Sequence, residues 1–149
     1  GKGAFANPHA VRIDRDNNVW LIDTGTHQVI KFTNEGQPLM TLGIKGQAGT
    51  DARTFNRPTD IAFTPNGDFY VSDGYGNSRV VKFSRDGKFM LSWGLGTREL
   101  GRPIGLAADR SGSVYVTDYF RHQLRRGVPI VLAVAAIDLA AEPARQQMR

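Results

Sequence analysis

The chain contains no cysteine. That excludes a disulfide framework and a thiolate metal site, although it does not fix the compartment. No basic segment followed by an apolar one opens the sequence at Gly1, so the start reads as a cut through a longer protein, with any signal peptide upstream. The aliphatic stretch at residues 130–141 falls short of the roughly 20 apolar residues that a membrane-spanning helix needs. The charge excess is also small. Of a net +5, the part from Tyr119 onward carries +3, with five arginines against two acids, Asp138 and Glu142. The remaining residues hold only +2, the balance of an ordinary solvated surface and not of a phosphate-binding face. Nucleic acid is not an expected partner.

What is present is a block that recurs about every 45 to 50 residues. The first copy reads Pro8-His9-Ala10-Val11, then Asn18-Val19-Trp20-Leu21-Ile22-Asp23, then His27-Gln28-Val29-Ile30-Lys31-Phe32. The second reads Pro58-Thr59-Asp60-Ile61-Ala62, Phe69-Tyr70-Val71-Ser72-Asp73 and Ser78-Arg79-Val80-Val81-Lys82-Phe83. A third begins at Pro103-Ile104-Gly105-Leu106, continues through Val114-Tyr115-Val116-Thr117-Asp118, and loses the pattern after Leu124. This period, with four short apolar runs per copy, is that of propeller blades.

Each run is short, aromatic or β-branched, and bounded by turn residues. Asn66-Gly67-Asp68 and Asp86-Gly87 separate strands of the second copy, and Asp16-Asn17-Asn18 and Asn34-Glu35-Gly36 do so in the first. Strands are predicted at 10–13, 19–22, 28–32, 39–42, 61–63, 69–71, 79–83, 89–93, 106–108 and 114–116. The fold class is all-β: about two and a half four-stranded antiparallel blades, at 5–54, 55–100 and 101–124, the last incomplete. Residues 125–149 form a non-repeat tail, helical by its alanine content or disordered. A blade cannot bury its faces alone, so self-association through exposed blade faces is expected.

These motifs resemble the NHL-repeat family of six-bladed propellers over most of the chain, from Phe5 to about Leu124. Within it, Phe55-Asn56-Arg57-Pro58-Thr59-Asp60 with Ser72-Asp73-Gly74-Tyr75-Gly76-Asn77-Ser78-Arg79 is similar to the peptidyl-α-hydroxyglycine α-amidating lyases. So are Pro8-His9-Ala10-Val11 and Asp23-Thr24-Gly25-Thr26-His27-Gln28-Val29. The resemblance implies a peptide substrate, cleaved to a peptide amide and glyoxylate, and an extracellular or periplasmic setting. It implies zinc held by three histidines, a tyrosine base, an arginine on the substrate and a calcium deeper in the axial channel. Position by position, it assigns His9 to zinc, Tyr75 to catalysis and the backbone carbonyl of Val11 to calcium. Imidazole is a good zinc ligand, and a phenolate can accept a hydroxyl proton.

The chain departs from that pattern at Pro103-Ile104, where the lyases carry the second zinc histidine. The third histidine, the acidic calcium ligand and the arginine belong outside this segment. The chain as given is therefore expected to be inactive and to bind neither metal stably. Asn56 and Gly76 occupy positions that form a disulfide in some animal members. The competing reading is a non-catalytic NHL module that binds protein or RNA. In register across the copies, Asp23, Asp73 and Asp118 read as acceptors of turn N–H bonds, His27 and His122 as a repeated structural contact, and Trp20 and Trp93 as blade packing.

Overall fold

The computed structural model describes residues 3–94, 100–120, 123–127 and 135–138. Strands β1 (Pro8–Ile13), β2 (Val19–Asp23), β3 (Gln28–Phe32) and β4 (Pro38–Leu42) form the first sheet. The second holds β5 (Asp60–Phe63), β6 (Phe69–Asp73), β7 (Arg79–Phe83) and β8 (Phe89–Trp93), with a single helical turn, α1 (Gly74–Asn77), between β6 and β7. The third holds β9 (Pro103–Ala108), β10 (Val114–Asp118), β11 (Gln123–Gly127) and β12 (Ala135–Asp138). Each sheet is an antiparallel meander in chain order. The first strands of successive sheets, β1, β5 and β9, lie side by side, as the inner strands of adjacent propeller blades do.

All ten predicted strands are present, several of them one to three residues longer. The third sheet departs from the expectation. β11 runs past the point where the sequence pattern ends and pairs with β12 from Gln123↔Asp138 to Arg126↔Ala135. Part of the alanine-rich stretch predicted as helix or disorder is thus a strand. Strand pairing is made by backbone groups, so it survives where the side-chain pattern that betrays it is missing.

Sandwiched blades must be apolar on both faces, and the second blade is. Along β6 and β7, Phe69, Val71, Val81 and Phe83 point one way, into a core with Trp20, Ile22 and Val29 of the first blade. Tyr70 and Val80 point the other way, to Leu106, Val114 and Val116 of the third. The period of two along a strand makes this division. On the first blade, by contrast, Val11, Ile13 and Leu39 are more than half exposed. At the turn end of that blade Asp14 accepts hydrogen bonds from the Trp20 indole N–H, the Asn18 amide and Lys31. Burial works to raise its pKa, but these donors outweigh it and hold the carboxyl at about 2.

At the opposite strand ends, the recurring aspartates tie each inner strand's lead-in segment to its blade. Asp23 accepts from the Ala6 and Asn7 amides, Asp73 from Asn56, and Asp118 from Gly101 and Arg102. In the second blade this latch is completed by a buried cation. Arg79 Nε donates to Asp73 at 2.9 Å, and its other nitrogens reach the carbonyls of Thr50, Asp51 and Thr54. Both side chains are almost wholly shielded from water. Removing the guanidinium would leave a buried carboxylate without its charge partner. Arg79→Ala is accordingly expected to cost about 3–5 kcal/mol, read from urea unfolding. A loss under about 1 kcal/mol would show that the pair is dispensable.

Candidate functional site

His9 and Tyr75 are 66 residues apart in sequence and meet through a 2.9 Å hydrogen bond between Nε2 and the phenol oxygen. The local backbone explains why. On β1, Pro8 pairs with Asp23 but Ala10 pairs with Ile22, so His9 is the extra residue of a bulge. A bulge re-aims the side chain it carries. His9 Nδ1 lies 2.8 Å from the carbonyl oxygen of Thr59. A carbonyl only accepts, so Nδ1 carries the proton and Nε2 offers its lone pair to the Tyr75 hydroxyl. The rings stand edge to face, with centroids 5.2 Å apart.

Tyr75 is carried by α1, packed so closely that a Cβ on Gly74 would run into the Pro103 carbonyl oxygen. The Tyr75 amide reaches back to the carbonyl of Arg57 at 3.4 Å. Arg57 itself is held by its own amide, which donates to His27 Nδ1. Its φ is +62°, an unusual value for a residue with a side chain. Thr59 is buried, with its hydroxyl shared between Ser72 and the Pro103 carbonyl. Three blades thus converge here. β1 brings His9, the second blade brings Arg57, Thr59 and Tyr75, and the lead-in to β9 brings Arg102.

Of the sequence-predicted residues, His9 and Tyr75 are brought together. His27 serves as a structural acceptor, whereas His122 lies outside the described residues. Asp23 accepts the expected turn N–H bonds, from Gly25 and Thr26, whereas Asp73 and Asp118 accept from lead-in amides 16–17 residues upstream, and Trp20 is buried in the core. Asn56 and Gly76 are in contact, a Cβ on Gly76 falling against the Asn56 side chain. The guanidinium groups of Arg57 and Arg102, 5.3 and 5.6 Å from the Tyr75 ring centroid, were not read as site residues from the sequence. A cavity of about 380 Å³, lined by Asp14, Trp20, Lys31, Phe63, Arg85 and Asp109 among others, lies at the opposite strand ends, away from this constellation.

The resemblance invites a test of both metals against these residues. His9 has the tautomer of a metal ligand, its Nδ1–H fixed by a backbone carbonyl. Thr59 and Ile104, which occupy the corresponding positions of the next two blades, bring no imidazole. No group of three His, Asp or Glu side chains among the described residues is placed to hold a metal. These residues alone do not fit zinc. Nor do those at Val11 fit calcium. The Val11 carbonyl accepts from Arg12 Nη1 at 3.0 Å, and Arg12 Nη2 binds the buried Asp60 carboxylate at 2.8 Å. A guanidinium already supplies the positive charge there.

With this geometry in place, comparison with known proteins is informative. Residues 5–32, 55–83 and 100–126 match the NHL repeat. The chain belongs to the NHL-repeat family. Among curated NHL-like relatives, it is 46% identical over 100 residues to peptidyl-alpha-hydroxyglycine alpha-amidating lyase 1 of Drosophila melanogaster, covering 65% of this chain and 18% of that protein. A probable lyase of the same kind from Caenorhabditis elegans is 41% identical over 100 residues, covering 66% of this chain and 29% of the relative. The NHL chain therefore spans less than a third of the length of either. A solved streptogramin B lyase shares the fold, with a TM-score of 0.70 at 15% identity over 92% of this chain and 42% of the other.

The Arg12 bridge makes a clear prediction. Added calcium is expected to leave the melting temperature of this NHL chain unchanged, while Arg12→Ser, which leaves the buried Asp60 carboxylate without its charge partner, lowers it. Thermal melts with calcium and with chelator check it; a calcium-dependent rise in the unaltered chain would contradict it.

Proposed function

We propose that these blades contribute the base and its proton partner to the cleavage of a peptidyl-α-hydroxyglycine into a peptide amide and glyoxylate. The observation that carries this reading is the hydrogen bond from the Tyr75 phenol to an imidazole of fixed tautomer. It lies in a stretch close in sequence to named amidating lyases.

The arrangement suits proton transfer. If the phenol proton passes to Nε2, the imidazolium keeps Nδ1–H on the Thr59 carbonyl and Nε2–H on the phenolate. The phenolate then accepts the proton of the substrate's hydroxyl. The O–H electron pair becomes the second bond of the new carbonyl, and the C–N bond breaks with its pair on the amide nitrogen. That nitrogen needs one proton, which the phenol can return. The products are glyoxylate and the peptide amide, with Tyr75 and His9 restored. A zinc centre, which the resemblance implies, would polarise the reacting oxygen; of its ligands only His9 is present among the described residues.

The test uses the fly lyase as host. The aligned residues up to Pro103 are exchanged for those of this chain, the host keeping its own residue at the position of Ile104, and glyoxylate release from an α-hydroxyglycine peptide is measured with zinc at saturation. The chimera is expected to be active, and Tyr75→Phe within it to lose about 10²–10⁴-fold in rate. An unchanged rate would reduce Tyr75 to a packing residue. A folded but inert chimera would favour the non-catalytic, protein- or RNA-binding module.

A further inference from the structure

Each blade of this chain covers its successor in the same way. The face that the first blade turns to the second carries Ala10, Trp20, Ile22 and Val29, and the Trp20 ring lies 4.8 Å from that of Phe69. The face that receives it carries Ile61, Phe63, Phe69, Val71, Val81 and Phe83. The third blade receives the second on Leu106, Ala108, Val114 and Val116. The first blade has a receiving face too. Val11, Ile13, Val19, Leu21, Ile30 and Phe32 stand at the repeat positions of those six residues of the second blade. The pairs Ile13↔Val19, Val11↔Leu21, Leu21↔Ile30 and Val19↔Phe32 join them into one apolar surface. No blade covers it among the described residues. Phe5 reaches one corner, edge to face on Phe32 with centroids 6.2 Å apart. Val11 and Ile13 stay 54% and 56% exposed, whereas Ile61, the counterpart of Val11, is 1% exposed.

The third blade presents the matching half. Gly105, Ala107, Tyr115 and Thr117 stand where the second blade has Asp60, Ala62, Tyr70 and Ser72, and Tyr115↔Ala107 and Thr117↔Gly105 pair across one face. Ala107 and Thr117 are exposed. The Tyr115 hydroxyl donates to Asp109 at 3.0 Å, as the Trp20 indole does to Asp14 at 2.9 Å. With its polar atom satisfied, such a ring is fit to be covered. Small residues beside an aromatic ring are what the second blade lays on the third. We propose that two copies of this chain close into one ring, the third blade of each covering the first blade of the other. The contact continues an interface that the chain already makes twice. Three blades per copy give twice that number in the ring, within the roughly four to eight of closed propellers. The contact joins two different faces, so it is heterologous, and a two-fold axis along the propeller axis closes it after two copies. That rotation keeps both latched ends on one side, and the ring carries the Tyr75–His9 constellation once per copy. The inference stands apart from the lyase reading.

Analytical ultracentrifugation of the whole chain, from micromolar to submillimolar concentration, is expected to show a dimer and no larger species. Ile13→Asp on the first blade and Ala107→Lys on the third should each weaken the dimer about a hundredfold or more, because each buries an unpartnered charge in both contacts of the ring. Both residues are exposed within one copy, so neither substitution enters its core. The protected Asn56 amide, held by Asp73 in the middle blade, reports that each variant is folded. Mixing the two variants is the decisive arm. A ring of one copy of each has one unaltered contact and one that carries opposite charges, so the mixture should associate more tightly than either variant alone. A mixture no tighter than its components overturns the proposal. So does a monomer at every concentration. A dimer indifferent to Ala107→Lys would set two first blades face to face, and an open series of larger assemblies would show that the ring does not close; either result overturns it as well.

Discussion

The carboxylate that ends the second strand of each blade is the interaction on which the rest of this structure depends. Asp23, Asp73 and Asp118 each reach across their blade to capture amides of the segment leading into the inner strand. A segment that enters a blade would otherwise be a loose loop with unsatisfied N–H groups. Captured, it becomes a fixed ledge. In the second blade the capture is strongest, because Arg79 fills the space behind Asp73 and satisfies three further carbonyls.

The two ends of the blades are thereby divided by role. Tight turns at one end, such as those around Asp14 and Asp109, are closed locally by their own carboxylates. The latched end is built from segments of different blades, and its side chains meet across blade boundaries. His9 finds Thr59 and Tyr75 there, and Arg57 and Arg102 find the same phenol. A structural carboxylate thus sets where a cation on its own blade's lead-in can stand. Asp118, for example, holds the backbone of Arg102 while that guanidinium lies beside a tyrosine of the preceding blade.

Much of this was legible in the sequence, and the exceptions have physical causes. Period-two runs between glycine and asparagine turns located the strands of the first two blades, since both faces of each strand are apolar and the turns are chemically explicit. The register of the aspartates marked them as backbone acceptors, but their capture of amides 16–17 residues upstream was not legible, because it depends on where the lead-in segments pass. His9 and Tyr75 were each legible from their motifs, but their contact was not, because it arises from a bulge and from blade stacking over 66 residues. Arg57 and Arg102 read as ordinary surface charge until two linkers brought them to one ring. β12 was hidden in an alanine-rich stretch, since a strand held by backbone pairing leaves little mark on side-chain choice. At Val11 the resemblance implied calcium for an intact parent, and the Arg12 guanidinium that meets the Val11 carbonyl and Asp60 was not legible there, because it depends on how two blades stack.

The account's central claim is that these carboxylates hold the lead-in segments, and through them the arginines, in place. Amide hydrogen exchange in Asp118→Ala tests it most directly. The amides of Gly101 and Arg102 should lose their protection while that of Asn56, held by Asp73, keeps it. Gly101 and Arg102 amides that remain as protected in the variant as in the unaltered chain would contradict the account.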